Sequence, residues 1–174
     1  MANEPQVAVV MGVSGSGKTT IANEIAARLG WGVIEGDALH PAANIEKMSR
    51  GIPLTDEDRW PWLRAIAKAI DETLAGHRSA VVACSTLKRS YRDILIGERR
   101  DVDLIYLKGS FALISERMAR RKGHFMPPAL LKSQFDTLEE PGPDERPIVA
   151  DVTPPPEAIV DDIIAQMRQR RLVA

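Results

Sequence analysis

Eight consecutive residues near the start of the chain have the types and spacing needed to bind phosphate. This phosphate loop reads Gly12-Val13-Ser14-Gly15-Ser16-Gly17-Lys18-Thr19 and matches G-x-x-x-x-G-K-[S/T] in full. Its glycines let the backbone approach an anion closely, so that N–H groups and a helix N-terminus face the phosphates. Lys18 would reach the β- and γ-phosphates of ATP or GTP, and the Thr19 hydroxyl would bind Mg²⁺. The predicted nucleotide contacts are Gly12, Ser14, Gly15, Ser16, Gly17, Lys18, Thr19 and Thr20.

The residues on either side of the phosphate loop predict the elements that must position it. Val7–Met11 is a continuous apolar run, typical of a strand buried on both faces. A helix is predicted from about Thr19 to Leu29, with Gly30 as its C-cap. One face of this helix is apolar and carries Ile21, Ala22, Ile25, Ala26 and Leu29. A strand before the loop and a helix after it favour a phosphate site over a chance glycine-rich turn.

The rest of the chain alternates between short β-branched runs and helical patterns. Four more strands are predicted at Trp31–Glu35, Ser79–Cys84, Asp103–Leu107 and Ile148–Val152. Helices are predicted after Thr55 and near residues 87–96, 111–122, 129–138 and 157–170. Thr55 and Asp58 have capping-box spacing, and Pro61 should bend the helix that follows or delay its start. This alternation predicts an α/β fold with a parallel sheet covered by helices on both faces.

Composition limits the classes of protein to which the chain can belong. Its 174 residues suit one domain, and a net charge of −1 shows no basic excess of the kind that a general nucleic-acid or membrane surface usually needs. One cysteine, Cys84, excludes an intrachain disulfide and is consistent with a cytoplasmic setting. We expect no signal peptide and no membrane-spanning segment, because no apolar run is long enough.

A second group of candidate residues follows the second predicted strand, in Glu35-Gly36-Asp37. The chain lacks the N-K-x-D motif of GTPases, and its third predicted strand ends in Cys84-Ser85 where longer ATPases carry an acid. The position of the two acids resembles that in shikimate kinases and gluconate kinases. By this resemblance Glu35 joins Thr19 as a metal ligand, and Asp37 is the catalytic base or the group that orients the attacking hydroxyl. The carboxyl end of a strand is also where open α/β sheets bind ligands.

The resemblance to the gluconate kinase family covers most of the chain. Residues 35–63, EGDALHPAANIEKMSRGIPLTDEDRWPWL, are similar to that family's DGDxLHxxxNxxKMxxGxPLxDxDRxPWL signature. Three later segments are also similar to family segments: ACSTLKRSYRDIL, YLKGSFALISERMARRKGHFMP and QFDTLEEP. The chain departs from the family in having Glu35 where Asp is usual and Thr86 where Ala is common. The resemblance implies an ATP- and Mg²⁺-dependent kinase that phosphorylates D-gluconate to 6-phospho-D-gluconate.

Candidate substrate contacts combine this resemblance with the needs of a hydroxylated carboxylate. Such a ligand requires cations and hydrogen-bond donors, and Arg can bind a carboxylate through two N–H groups. Lys88 and Arg92 lie four residues apart on one predicted helix and could hold the carboxylate. Arg59 resembles the substrate-holding arginine of the family, and His40 could donate to a hydroxyl. The predicted substrate contacts are Asp37, His40, Arg59, Lys88 and Arg92.

The resemblance also implies a lid and the arrangement of the whole domain. Arg121 would contact the phosphates as a third catalytic group beside Lys18 and Asp37, while Arg117 would pack against adenine. His124 and Phe125 would lie on the lid, and Gln134 is a weaker candidate. We expect a single domain over residues 1–174, with a helical substrate region at about 38–75 and a lid at about 117–135. The family also implies strand order 2-3-1-4-5 and a homodimer.

Simpler explanations stand beside these assignments. Asp37 could be a turn residue, His40 a structural histidine, and the arginines solvated or paired with a helix dipole. Cys84 is predicted to be a buried strand residue and not a nucleophile. Two other functions remain open, namely a kinase for another small hydroxy acid such as shikimate, and an ATP-binding regulator without catalysis.

Overall fold

The computed structural model describes residues 4–120 and 128–173, and its centre is a sheet of five parallel strands. The strands are β1 (Val7–Met11), β2 (Gly32–Glu35), β3 (Ala80–Ala83), β4 (Val102–Lys108) and β5 (Ile148–Asp151). Their order across the sheet is β2-β3-β1-β4-β5, which confirms the predicted fold class and strand order. β1 is the central strand, and its Val7 is in register with both Ala80 and Val102.

Seven α-helices connect and cover the strands in the described part of the chain. They are α1 (Lys18–Leu29), α2 (Ala42–Ser49), α3 (Asp56–Ala75), α4 (Arg89–Leu95), α5 (Phe111–Arg120), α6 (Pro128–Thr137) and α7 (Pro156–Val173). Short 3₁₀ turns occupy Gly36–Leu39 and Pro143–Glu145. Gly30 ends α1 in the left-handed conformation, as predicted for a C-cap. No helix in the described ranges is long and apolar enough to span a membrane.

Apolar side chains of β1 alternate between two separate layers of the core. Ala8 and Val10 pack in a layer that also contains residues of α1 and α7. Val7, Val9 and Met11 point the other way and pack with α3 and α4. Helices on both faces therefore explain why β1 is a continuous apolar run and not an alternating one.

The start of α3 is fixed by the capping box that the sequence predicts. The Thr55 hydroxyl accepts from the Asp58 N–H at 3.2 Å, and the Asp58 carboxylate accepts from the Thr55 N–H at 2.9 Å. α3 begins at Asp56 and continues through Pro61, so the expectation that this proline delays the helix is wrong. The helix is held instead by its cap and by burial of Trp62 and Leu63 directly after the proline.

Candidate active site

The phosphate loop connects β1 to α1 at the carboxyl edge of the sheet. Gly15 has φ +81°, and a Cβ there would lie 2.6 Å from Met118 Cγ, so a side chain is excluded both by the backbone and by α5. Gly17, with φ +96°, caps α1 and has no side chain to occupy the N–H groups of the first turn. The Ser16 hydroxyl is buried without a hydrogen-bond partner among the described residues. An anion bound at the start of α1 would satisfy these groups.

Lys18 folds back over the phosphate loop. Its Nζ donates to the carbonyl oxygens of Gly12 at 3.0 Å and Val13 at 3.1 Å. Burial lowers the pKa of Lys18, while the nearby Asp37 and Glu35 carboxylates act in the opposite direction. Nζ thus lies within the phosphate loop, at the edge of the sheet where β2 ends in Glu35.

Thr19 and Glu35 lie together at the same edge. The Thr19 hydroxyl donates to Glu35 Oε2 at 3.1 Å. Two hard oxygen donors beside a phosphate loop fit Mg²⁺, which takes few protein ligands and completes its shell with phosphates and water. Within residues 4–120 and 128–173 there is no group of three or more His, Cys, Asp and Glu that could hold a metal by protein ligands alone. The residues present therefore fit a Mg²⁺ ion that arrives with a nucleotide.

Asp37 is presented to solvent by a turn that is packed tightly beneath it. Gly36 is buried, and a Cβ there would lie 2.7 Å from the Ala83 carbonyl oxygen, so β3 requires glycine at this position. Trp62 Nε1 donates to the Gly36 carbonyl at 2.8 Å. These contacts fix the turn while the Asp37 side chain stays exposed at the carboxyl edge of the sheet.

His40 has a defined orientation and a defined tautomer. Its ring stacks on Trp62 with centroids 4.1 Å apart and planes 12° apart. The Asn44 Nδ2 group donates to the Asp58 carbonyl at 2.9 Å and lies 3.2 Å from His40 Nδ1. Because an amide nitrogen only donates, Nδ1 must accept, and Nε2 carries the proton. Burial lowers the pKa of His40, and Arg59 adds to this effect against the opposing charge of Asp37, which makes the neutral Nε2–H donor the expected form.

Arg59 and Lys88 meet around one tyrosine that the sequence did not single out. The Arg59 guanidinium lies 5.6 Å from the centroid of the Tyr91 ring, and Lys88 Nζ lies 5.7 Å from it. Arg59 Nη1 also donates to the Tyr91 hydroxyl at 3.2 Å. The hydroxyl donates to Asp56 Oδ1 at 2.5 Å, and Lys88 donates to both Asp56 oxygens at 3.2 and 3.3 Å. We call Asp56, Arg59, Lys88 and Tyr91 the Tyr91 cluster.

Arg92 does not belong to this cluster, and its predicted role as a substrate contact is wrong. Its side chain is 2% exposed and forms a two-pronged ion pair with Glu145, with Nε–Oε1 at 2.6 Å and Nη2–Oε2 at 3.1 Å. Nη1 donates to the carbonyls of Thr86 and Leu87. Arg92 therefore ties α4 to the turn before β5 and is closed to a ligand.

We expect Arg92→Met to reduce the free energy of unfolding by about 3–5 kcal/mol, because it leaves the Glu145 carboxylate, whose side chain is only 10% exposed, without its cationic partner. Urea denaturation followed by circular dichroism measures this loss. Arg50→Met is the matched control, since the Arg50–Glu46 pair is exposed at 67% and 64% and should contribute less than about 1 kcal/mol. Equal stability of the two variants would contradict a structural role for Arg92.

Gln134 contacts the phosphate loop across 120 residues of sequence. Its Oε1 accepts from the Ser14 N–H at 2.7 Å, and its Nε2 donates to the Ser14 hydroxyl at 2.9 Å. Leu131 and Phe135 of the same helix pack near Val13 and Ile114. The end of the predicted lid region is thus joined to the loop that would hold phosphate, which gives Gln134 a larger part in the site than its sequence indicated.

A cavity of about 440 Å³ adjoins the phosphate loop. Its walls include Gly15, Gly17, Thr20 and Arg117, together with the Thr153–Pro156 segment after β5. Arg117 Nη2 donates to the Thr153 carbonyl at 3.1 Å. The cavity lies where a base would follow phosphates bound at the start of α1. The predicted contacts Arg121, His124 and Phe125 fall outside the described residues.

Cys84 follows β3 and is buried. Burial raises the pKa of its thiol to about 12. A thiol with so high a pKa is protonated at neutral pH and is not a nucleophile, as the sequence predicts.

Comparisons with known proteins agree with this arrangement. A family model described as an AAA domain matches residues 7–141. Over 164 residues the chain is 48% identical to the gluconokinase of Gluconobacter oxydans (strain 621H), covering 94% of this chain and 92% of the relative. It is 42% identical to the thermoresistant gluconokinase of Escherichia coli (strain K12), covering 96% of each. A solved gluconokinase structure from Sinorhizobium meliloti 1021 superposes with a TM-score of 0.85 at 48% identity, over 97% of this chain and 94% of that one.

Proposed function

The chain belongs to the gluconokinase family of P-loop kinases, and from that premise we propose that it transfers the γ-phosphoryl group of ATP to the C6 hydroxyl of D-gluconate. The products are ADP and 6-phospho-D-gluconate. The observation that carries the proposal is the position of Lys18, Glu35 and Asp37 at one edge of the sheet. Lys18 Nζ is held in the phosphate loop after β1, the Thr19 hydroxyl donates to Glu35 at the end of β2, and Asp37 lies in the turn that directly follows. At this edge Lys18 would bind the phosphates of ATP, and the exposed Asp37 would contact the attacking hydroxyl of the acceptor.

The nucleotide end of the site is supported by three features. Free N–H groups at the start of α1 would receive the phosphates, and Lys18 would hold the β- and γ-phosphates. The cavity lined by Arg117 and the Thr153–Pro156 segment would hold adenine. Thr19 and Glu35 would bind Mg²⁺, which, when bound, neutralises charge on the phosphate oxygens.

The acceptor end is supported by groups that match a hydroxylated monocarboxylate. Arg59 and Lys88 would attract the carboxylate, and His40 Nε2–H would donate to a hydroxyl of the carbon chain. Asp37 would accept a hydrogen bond from the C6 hydroxyl and take its proton as the bond to phosphorus forms. In a loose transition state this orientation contributes as much as deprotonation.

A coupled assay of ADP release tests the proposal. Wild-type protein is incubated with ATP and Mg²⁺ and with D-gluconate, shikimate or no acceptor. We expect turnover that depends on gluconate, with the phosphorus of the product located on C6 by ³¹P NMR. Turnover with shikimate alone would indicate a kinase for a different hydroxy acid. ATP binding without any acceptor turnover would indicate a non-catalytic regulator.

The family resemblance supports two further parts of the proposal, a homodimer and a cytoplasmic location. Light scattering during size-exclusion chromatography tests the first part, with an expected mass twice that of one chain. A mass equal to one chain would contradict it.

A further inference from the structure

The Tyr91 cluster contains two cations and one carboxylate of its own. Asp56 accepts hydrogen bonds from Tyr91 and Lys88 and lies 4.0 Å from Arg59 Nη1. The carboxylate is therefore in contact with every other member of the cluster. With Arg59 and Lys88 positive and Asp56 negative, the cluster has a net charge of +1.

This charge is stable over the neutral range. Hydrogen bonds from Tyr91 and Lys88 lower the pKa of Asp56, so its carboxylate remains ionised. Burial raises the pKa of Tyr91 to about 12, and its hydrogen bond to Asp56 acts in the same direction, so the hydroxyl keeps its proton. The side chains of Arg59, Lys88 and Asp56 are 30%, 32% and 38% exposed, which leaves the cluster open to a ligand.

We propose that Asp56 is a specificity-determining residue, which offsets one of the two cations beside Tyr91 so that this subsite accepts a monoanionic group and disfavours a dianionic one. The inference rests on the proposed function, because it assumes that the acid end of the acceptor binds here. Asp56 has no part in the transfer itself; it acts through Lys88, Tyr91 and the charge of the subsite.

The chemical consequence is discrimination between a carboxylate and a phosphate ester. A sugar acid carries a charge of −1 at neutral pH, whereas a phosphate monoester carries about −1.5 to −2. Without Asp56 the subsite would have two uncompensated cations, which matches the phosphate ester better. Sugar phosphates with a free terminal hydroxyl would then compete with the sugar acid. Asp56 thus lets the enzyme bind an unphosphorylated acid in the presence of phosphorylated sugars.

Asp56→Asn tests the proposal, because it removes the charge and keeps the shape. The quantity measured is the inhibition constant of D-mannitol 1-phosphate divided by the KM for D-gluconate, at pH 8 and low ionic strength. The first ligand is a six-carbon dianion and the second a six-carbon monoanion. We expect the ratio to fall on the order of tenfold, because the substitution removes the repulsion by the Asp56 carboxylate, and this repulsion is larger for the dianion than for the monoanion. The effect should shrink in high salt.

Two further variants separate charge from structure. Asp71→Asn is the matched control, because Asp71 is another ion-paired aspartate of α3, bound to Arg99 away from the cluster; its ratio should not change. Asp56→Glu restores the charge and should restore the wild-type ratio. If Asp56→Asn does not fold, Lys88→Met tests the same electrostatics in the opposite direction, and its ratio should rise because the cluster loses a cation.

The outcomes are distinct from those for the proposed function. An unchanged ratio in Asp56→Asn, in protein that still phosphorylates gluconate, overturns the role of Asp56 and leaves the proposed function intact. A parallel loss of affinity for both anions, which Asp56→Glu does not repair, also overturns it and indicates a structural role. If wild-type protein does not phosphorylate gluconate, the proposed function and this inference fail together.

Discussion

Lys18→Met is expected to lower kcat for gluconate phosphorylation about 10³-fold, a loss of ~4 kcal/mol of transition-state stabilisation. Methionine has nearly the length of lysine but no charge, so negative charge that develops on the transferring phosphoryl group would have no cation beside it. In the structure, Lys18 Nζ is held by two loop carbonyls, Gly12 and Val13, directly at the start of α1. The ammonium is therefore positioned before the nucleotide arrives.

The folded protein should tolerate this substitution. Burial lowers the pKa of Lys18, which means that the folded state disfavours the charge that methionine removes. We expect the free energy of unfolding to change by no more than about 2 kcal/mol, because the loss of two net hydrogen bonds of about 1 kcal/mol each is partly offset by removal of a buried charge. Lys68→Met is the control, because Lys68 is 78% exposed on α3 and, among the residues that the structure describes, pairs only with Glu72. A kcat within tenfold of wild type in Lys18→Met would show that Lys18 is not the phosphate-binding cation.

Much of the fold could be predicted because local patterns determine it. The continuous apolar run of β1 requires cover on both faces, and the structure supplies it with α1 and α7 on one side and α3 and α4 on the other. Thr55 and Asp58 fix the start of α3 through contacts only three residues apart. The strand order was also predicted correctly, but that prediction came from the family resemblance and not from any local pattern.

The errors and omissions concern contacts between distant residues. Lys88 and Arg92 are four residues apart, but Lys88 is the extended N-cap of α4, with φ −98° and ψ 147°, so the rule for neighbours on a helix face does not apply to it. Lys88 turns toward Asp56, whereas Arg92 turns inward to Glu145, 53 residues later. Asp56 lies 32 residues from Lys88 and Glu145 lies 53 residues from Arg92, so neither partner can be identified from the local sequence. The same holds for Gln134 and Ser14, which are 120 residues apart.

Asp37→Asn is expected to lower kcat by about 10²–10⁴-fold, the range for loss of a positioned acid–base group, with the KM for ATP unchanged. Asparagine keeps the size of the side chain and can still contact the C6 hydroxyl, but it cannot take the proton. The turn beneath it should be unaffected, because Trp62 Nε1 and the tight contact with Ala83 act on Gly36 and not on the Asp37 side chain. The coupled assay gives kcat and both KM values.

Comparison with Asp37→Ala distinguishes the two roles open to this carboxylate. If Asp37 acts mainly as a base, Asn and Ala should be equally slow, because neither can accept a proton. If it acts mainly by orienting the hydroxyl, Asn should retain more activity than Ala, since its amide oxygen still accepts a hydrogen bond. Asp71→Asn, remote on α3, is the control and should keep wild-type kcat. Full activity in both Asp37 variants would show that attack by the hydroxyl does not require this carboxylate, and Asp37 would then be only a turn residue.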